Sequence, residues 1–382
     1  MSTPSSKCSN FLPFLFSYLN VFLIAPRYDF TNERFHETIL TKIQGCCLIF
    51  TSLILTAAAI ITESVENFFG MLIPSEKILY ILTSTTLLAL TLTTITKSAF
   101  LDVKNWKTLL TNYQYIDKKV ATRESHLYYK FVLKQIMFLV AVIYLSYGWS
   151  LSLNMPPVKV LLITPFVELY YEYLLITLLT TFVDKIRNGY SHLNASLIKW
   201  SHDPKFINEM RSLSQDYRRL GHTIDVFNDL FGYQMILIIF HCGAHAVSSL
   251  NFTLNSGRAD LTDPFFFNTV CPNFCLFCFA FVNISTVVMS MSATVKESQK
   301  FLDLAYTIQD KFKLESREIE AIIKLTNYSQ RFYREFSAGG FFKFSKTIIF
   351  SIIGQGATYF IITAQFNGSQ FSKNCTHKSH NK

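Results

Sequence analysis

Charged residues and cysteines are both scarce in this sequence. Asp, Glu, Lys and Arg make up 16% of the 382 residues, whereas hydrophobic residues make up 50% and include 37 phenylalanines. Soluble domains usually carry about 25% charged residues. Eight cysteines in a chain of this length do not make a disulfide-rich secreted scaffold. This composition argues against a soluble globular protein and predicts a chain that crosses a membrane several times.

The motifs of common enzymes and metal sites are also missing. The sequence has no Gly-x-Ser-x-Gly motif, no phosphate-cradling glycine loop and no credible Ser/His/Asp set. Cys275 and Cys278 form one Cys-x-x-Cys pair without a second pair, so a metal or redox site is not expected. His241 and His245 resemble half of a membrane di-iron site, which needs further His clusters. We therefore expect no enzyme, no cofactor and no metal.

Long apolar runs predict seven membrane-spanning helices. A hydrocarbon core of about 30 Å needs about 20 helical residues at about 1.5 Å of rise per residue. No internal repeat relates the runs, which argues against a repeat-built transporter. The predicted spans are 45–62, 78–96, 131–151, 160–183, 231–250, 269–292 and 347–366.

The 35 Lys and Arg residues predict the orientation of these spans. Most lie before the first span and in every second loop after it, which places the amino terminus in the cytoplasm and the carboxy terminus outside. Seven-helix receptors that couple to G proteins run the other way, and their Asp-Arg-Tyr and Asn-Pro-x-x-Tyr patterns are missing here. Because topology accounts for the basic residues, no nucleic-acid partner is expected.

The last apolar run, 347–366, differs from a plain anchor because polar residues share one of its faces. An unpaired amide in hydrocarbon costs several kcal/mol, so this face needs water or polar partners. It could line a pore, or it could bond to neighbouring helices, with Gly354 and Gly356 allowing close approach. Steps of four and three residues define the face as Ser351, Gln355, Thr358, Ile362 and Gln365.

The end of this run carries a recognisable pattern. Thr358 and Tyr359, five apolar or small residues, and then Gln365 and Phe366 match the signature that closes insect gustatory receptors. The chain resembles that family, and the Trp-Leu-Leu-Tyr-Ile-Asp pattern that starts at Trp106 also resembles it. The resemblance implies a seven-helix insect chemoreceptor fold and a ligand-gated cation channel in which the final helices of four subunits surround one pore.

The resemblance also implies roles for residues of the last helix. Gln365 and Phe366 would form the gate at the outer end of the pore, where Phe rings close a dewetted constriction. Tyr359 would pack the pore helix against its neighbours. Ala364 is smaller than the bulky aliphatic residue usual before this Gln. The residues expected to line the pore are Ile362, Thr358, Gln355 and Ser351.

Helical periodicity continues into the cytoplasm beyond several spans. From Phe206 to Phe231, apolar residues keep a four-three spacing over more than three heptads. One chain is not expected to bury every such stripe, so we expect other subunits to cover them; a compact monomeric cap of helices is the alternative. The expected divisions are a cytoplasmic segment 1–44, with Phe11–Ala25 as an interfacial helix, a seven-helix domain 45–366 with cytoplasmic extensions 97–130, 184–230 and 293–346, and an extracellular tail 367–382.

Ionisable and aromatic residues in the outer halves of the spans predict a ligand pocket. Glu168 and Glu172 lie one turn apart on the fourth span, and His241 and His245 lie one turn apart on the fifth. Aromatic walls with a few polar groups are typical of small-molecule sites. The alternative is that these groups satisfy one another without a ligand. The candidate ligand-binding residues are Tyr80, Thr83, Tyr147, Trp149, Glu168, Tyr171, Glu172, His241 and His245.

These observations predict an insect gustatory receptor in the plasma membrane of a sensory neuron. A small-molecule tastant would open a non-selective cation pore in a homo- or hetero-tetramer surrounded by membrane lipid. A bitter or other plant compound fits better than a sugar, because further sugar-receptor motifs are missing. The alternatives are an odorant receptor of the same superfamily, without the closing signature, or a sugar-type gustatory receptor. A transporter or scaffold would give no ligand-evoked current.

Overall fold

The computed structural model describes residues 11–35, 39–61, 74–120, 125–153, 166–200, 206–256, 271–311 and 317–359, together with 361, 362 and 365. Nearly all of these residues are helical. The elements in chain order are α1 (Phe11–Val21), β1 (Tyr28–Asp29), β2 (Arg34–Phe35), α2 (Ile39–Ile61), α3 (Pro74–Ala99), α4 (Val103–Lys119), α5 (Ser125–Leu153), α6 (Phe166–Trp200), α7 (Phe206–Ser256), α8 (Cys271–Lys311), α9 (Arg317–Phe332), β3 (Ser337–Ala338), β4 (Phe342–Lys343) and α10 (347–359).

The prediction of an all-α membrane bundle is confirmed. Six of the described helices, α2, α3, α5, α6, α7 and α8, are long and apolar enough to cross a membrane. The seventh predicted span begins in α10, which is helical over its described residues. Within the bundle α6 packs along α8, and α3 packs along α7. Each predicted span therefore coincides with a helix over its described residues.

Three helices extend well beyond a bilayer. α6 has 35 residues, α7 has 51 and α8 has 41. At about 1.5 Å per residue, α7 alone is about 77 Å long, against a hydrocarbon core of about 30 Å. The spans and the extensions that follow or precede them are thus continuous helices, as the uninterrupted periodicity predicts.

The apolar stripes of the helical extensions are buried within a single chain, so the expectation that other subunits cover them is wrong. The ring centroid of Tyr217 lies 5.5 Å from that of Tyr190 on α6 and 4.9 Å from that of Phe301 on α8. The extensions of α6, α7 and α8 gather with α4 and α9 into one bundle, and each stripe has a partner on the same chain. At most 4% of each stripe residue of α7 is exposed, namely Met210, Leu213, Tyr217, Leu220, Ile224, Phe227 and Phe231.

The amino-terminal helix α1, which the sequence predicts as an interfacial helix, packs against the core. Leu15 and Leu19 have no exposed surface. The ring of Phe16 lies 6.3 Å from Trp106 on α4 and 6.1 Å from Phe182 on α6. Neighbouring helices therefore cover one face of α1, whereas Phe14 and Val21 are exposed.

Two short hairpins are an addition to the predicted all-helical fold. β1 pairs with β2 and β3 pairs with β4, both antiparallel. The turn between β3 and β4 contains Gly339 and Gly340 at φ values of +54° and +79°. Backbone in this left-handed region favours glycine, which allows the chain to reverse tightly here.

The second hairpin is fastened to α7. The side-chain amide of Asn228 donates to the carbonyl oxygen of Glu335 at 3.0 Å, and its oxygen accepts from the backbone nitrogen of Ser337 at 3.0 Å. Arg334 Nε lies 3.0 Å from Asp225 Oδ2. Phe336 is fully buried. Because α10 starts directly after this hairpin, α7 determines where the last helix begins.

The salt bridge of this hairpin predicts a small pH dependence. Lys343 Nζ lies 2.5 Å from Glu335 Oε2 and lowers the pKa of that carboxyl below its ordinary value of 4.5. A lowered pKa stabilises the folded state above about pH 4.5, and that contribution is lost as the pH falls through the folded-state value. Lys343→Met should therefore destabilise the protein near neutral pH by at most about 1 kcal/mol.

Thermal unfolding of the wild type and Lys343→Met between pH 3 and pH 7 tests this expectation. The difference between the two proteins should shrink as the pH falls below the ordinary Glu value. A difference that stays constant over the whole range would show that the ion pair does not contribute.

Candidate functional site

Glu172 of α6 faces His241 of α7. His241 Nδ1 lies 2.9 Å from Glu172 Oε2, and both side chains are buried. The contact has ion-pair distance without hydrogen-bond geometry. The ring of His245 lies 5.8 Å from that of His241, and its Nδ1 lies 3.4 Å from Ser249 Oγ. Glu172, His241, His245 and Ser249 form a buried polar row between α6 and α7, which we call the acid–histidine row and which is the arrangement expected if the groups satisfy one another.

Glu168 is different, because it is buried without a cation beside it in the described part of the chain. Its exposed fraction is 6%. It lies in the first turn of α6, where the helix dipole favours a carboxylate. Across the bundle its charge acts on Tyr80 of α3. A buried carboxylate of this kind can accept hydrogen bonds or pair with a positively charged ligand.

Two further candidates lie near these acids. Tyr171, one position before Glu172, is 3% exposed, and its hydroxyl has no hydrogen-bond partner among the described residues. Thr83 is half-buried on α3, and its hydroxyl donates to the carbonyl oxygens of Leu79 and Tyr80. The bonds recorded for Thr83 therefore stay within α3.

Two candidates from α5 are placed differently. Tyr147 is 60% exposed, while Leu145, two residues earlier, is buried. Two helical residues are about 200° apart, so Tyr147 faces away from the packed side of α5. The side chain of Trp149 lies outside the described residues.

Sequence reasoning missed the part that α1 plays near this region. The hydroxyl groups of Tyr18 and Tyr170 are hydrogen-bonded, and Tyr170 also donates to Gln135 Oε1 at 2.9 Å. The ring of Phe22 lies 5.5 Å from that of Tyr170 and 6.5 Å from that of Tyr171. Tyr18 and Phe22 lie one helical turn apart in the sequence, and this spacing is the signal that could have identified an aromatic face on α1.

An apolar cavity of about 40 Å³ lies between α5, α6 and α8. A cavity of about 150 Å³ holds a benzene ring, so this space is too small for a tastant without side-chain movement. Tyr144, Leu145, Phe166, Leu169, Cys275 and Phe279 are among its lining residues.

The polar face of α10 is exposed on the single chain. Ser351, Gln355, Thr358, Ile362 and Gln365 are all exposed. The opposite side packs on the bundle: Ile352 is 7% exposed, and a Cβ atom on Gly356 would lie 3.6 Å from Leu250 of α7. Tyr359 is half-buried, and Phe366 lies outside the described residues.

The family profile described as 7tm chemosensory receptor matches residues 8–368. This match covers nearly the whole chain, including α1, the acid–histidine row and α10. The chain belongs to this chemosensory receptor family.

A comparison with a curated relative agrees with the assignment. The receptor is 24% identical over 157 residues to "Gustatory receptor for sugar taste 43a" of Drosophila melanogaster. That match covers 41% of this chain and 36% of the relative. The resemblance to insect gustatory receptors that the closing signature indicates thus extends to a curated relative.

Solved structures share the fold of the receptor. The olfactory receptor OR5 of Machilis hrabei, in complex with eugenol, matches with a TM-score of 0.64 at 13% identity, over 94% of this chain and 99% of that one. A second structure of OR5 from Machilis hrabei matches with a TM-score of 0.63 at 11% identity, over 94% of this chain and 99% of that one. The insect chemoreceptor fold predicted from the sequence is confirmed.

Proposed function

We propose that the receptor is a gustatory receptor that works as a tastant-gated, non-selective cation channel. The observation that carries this proposal is the exposed polar face of α10. Gln355 and Gln365 carry amides that hydrocarbon does not satisfy, and both are exposed on the single chain. Four copies that turn this face inward would share a water-filled path. The membrane would be that of a sensory neuron, with the amino terminus in the cytoplasm.

The gate in this proposal lies at the outer end of α10. Gln365 and Phe366 of the four subunits would close the path, with Ile362, Thr358, Gln355 and Ser351 below them. The hydroxyl of Thr358 donates to the carbonyl oxygen of Gly354 at 2.9 Å, so this donor is satisfied within α10.

Helix α7 connects the ligand region to the gate. It carries His241 and His245 on the ligand side, and Leu250 packs near Gly356 of α10. The nine residues from His241 to Leu250 correspond to about 13.5 Å of helix. A tastant that binds one arrangement of α7 more tightly would shift the population of channels toward it, and α10 would follow.

The ligand class follows from the acids and the aromatic residues. The hydroxyl of Tyr171, beside the ring of Phe22, is buried without a hydrogen-bond partner among the described residues, and the carboxylate of Glu168 is buried as well. A bitter or other plant compound with a polar or basic group beside an apolar ring system fits this mixture. A sugar-type receptor is the second candidate, which the curated Drosophila relative favours. An odorant receptor of the same superfamily is the third.

Replacing Gln355 by leucine tests the pore assignment. The receptor would be expressed alone in cells, and cation current would be recorded during a screen of plant compounds and sugars. Gln355→Leu should reduce evoked current at least several-fold at equal surface delivery, because an apolar ring replaces an amide ring along the path. Gln365→Ala should alter basal or evoked current.

The matched control is Ile353→Leu on the same helix. Ile353 is 52% exposed but lies outside the polar face, so its replacement should leave the current unchanged. Equal currents from the wild type and Gln355→Leu would remove this face from the pore. If Ile353→Leu reduced the current as strongly as Gln355→Leu, the polar face would also be removed from the pore.

A further inference from the structure

A groove of about 580 Å³ opens sideways between α6 and α8. It is separate from the acid–histidine row, because its polar lining residues on α6 are Thr180, Asp184 and Arg187, at least two helical turns beyond Glu172. On the α8 side it is lined by apolar residues, including Val282 and Met289, which are 60% and 46% exposed. A groove with this lining is open to lipid if the helices span the membrane.

The proposed orientation places one end of the groove at the inner boundary of the bilayer. The predicted spans end at residue 183 on α6 and residue 292 on α8, so Asp184, Arg187 and Ser290 lie at headgroup depth. Phe281, at the other end of the groove, is nine residues from Ser290, which corresponds to about 13.5 Å toward the membrane centre.

The end of the groove near the boundary is positively charged. Arg187 lies 3.8 Å from Asp184 Oδ1, which is longer than a hydrogen bond, whereas Ser290 Oγ lies 2.5 Å from the same oxygen. The guanidinium therefore keeps its N–H donors available. Lys134 of α5 is exposed and interacts electrostatically with Asp184 and with Lys130. The carboxylate of Asp184 therefore has two cations near it, Arg187 and Lys134.

A buried hydroxyl lies deeper in the groove. The Oγ atom of Ser285 is shielded from solvent and has no hydrogen-bond partner in the described part of the chain. Ser285 is five residues from Ser290 and therefore lies about 7.5 Å further toward the membrane centre. In a phospholipid the ester carbonyl groups lie deeper than the phosphate, so the spacing of cation and hydroxyl matches the order of polar groups in a lipid.

We propose that this groove binds an anionic glycerophospholipid of the inner leaflet. Its phosphate lies between Arg187 and Lys134, where charge-assisted hydrogen bonds form. Ser285 Oγ donates to an ester carbonyl oxygen, and one acyl chain covers Val282 and Met289. Basic pockets between membrane helices on the cytoplasmic side have the charge and depth that such headgroups require.

Native mass spectrometry of the purified full-length receptor tests this proposal. The receptor would be titrated with phosphatidylglycerol and, separately, with zwitterionic phosphatidylcholine. The wild type should retain phosphatidylglycerol more strongly. Each cation near a membrane surface contributes about 1 kcal/mol, so Arg187→Gln should weaken retention roughly fivefold and Arg187→Gln with Lys134→Gln roughly 25-fold.

Two further variants separate the groove from general surface charge. Lys104→Gln with Lys107→Gln removes two charges from exposed positions of α4 and should leave retention unchanged. Val282→Trp fills the groove without changing charge and should lower retention of the lipid, while thermal unfolding confirms that the variant is folded.

Three results would overturn the proposal. Equal retention of the two lipids would show that charge does not select the occupant. Equal losses in the α4 control and in the Arg187 and Lys134 double variant would assign the effect to general electrostatics. Displacement of phosphatidylglycerol by millimolar inorganic phosphate would identify a site for the ion alone. Tastant-evoked current plays no part in these readouts, so they are independent of the proposed channel function.

Discussion

His241→Leu is expected to destabilise the folded receptor by about 3–5 kcal/mol, because it leaves the carboxylate of Glu172 buried without a partner. The two side chains are 1% and 5% exposed and lie 2.9 Å apart at their closest atoms. Thermal unfolding of the purified receptor in detergent measures the change. His192, which is exposed on the second half of α6, provides the control: His192→Leu should have little effect.

The double variant Glu172→Leu with His241→Leu should recover most of this loss. Replacing both members of a buried ion pair by apolar residues is often neutral or stabilising, whereas removing one member is not. If His241→Leu alone proved as stable as the wild type, the pair would have no structural role in the bundle.

The same double variant distinguishes the two interpretations of the acid–histidine row. If Glu172 and His241 only satisfy one another, the folded double variant should keep its response to a tastant. If a ligand bonds to them, the response should fall at equal surface delivery. Glu168→Gln should reduce the response to basic compounds more than to neutral ones, because the buried carboxylate of Glu168 is the charge that a cation would meet.

Gly232→Ala is expected to separate the β3–β4 hairpin from α7. A Cβ atom at this position would meet the backbone nitrogen of Gly339 and lie 2.9 Å from its Cα atom. Backbone cannot rotate out of the way as a flexible side chain can, so the hairpin must move. Overpacking of this kind costs about 1–3 kcal/mol. Because the hairpin leads directly into α10, evoked current should also change.

Gly243→Ala is the matched control on the same helix. No atom lies within 4 Å of a Cβ built at Gly243. Both variants gain the helix preference of alanine over glycine, about 1 kcal/mol, so the difference between their unfolding free energies isolates the contact with the hairpin. Equal stabilities of the two variants would contradict the close approach of the hairpin to α7.

Much of the fold could be predicted from the sequence. Runs of apolar residues gave the spans, and unbroken four-three spacing predicted that α6 and α7 continue into the cytoplasm. The buried residues Trp106, Leu109, Leu110, Tyr113 and Ile116 of α4 are those that the helical period identifies. These features are local, because a helix and its apolar face depend on residues within a few turns of one another.

The candidate site was predicted less completely. The spacing of Glu168 from Glu172 and of His241 from His245 gives pairs on one helix face, and the structure places both pairs in the bundle. The partner of each residue depends on how α6 is rotated and offset against α7. The observed rotation and offset pair Glu172 with His241 and direct Glu168 toward Tyr80. The helical periodicity of the sequence does not determine this packing.

The sequence by itself determined that this chain is a membrane bundle of long helices with a polar face on the last one, because hydrophobicity and helical period are properties of neighbouring residues. Only the tertiary structure decided what covers each face. In that structure the apolar stripes of the helical extensions are buried within one chain, α1 packs in the core, and Asn228 fastens the last hairpin to α7. An apolar stripe requires a partner surface, but distant parts of the chain determine which surface provides it.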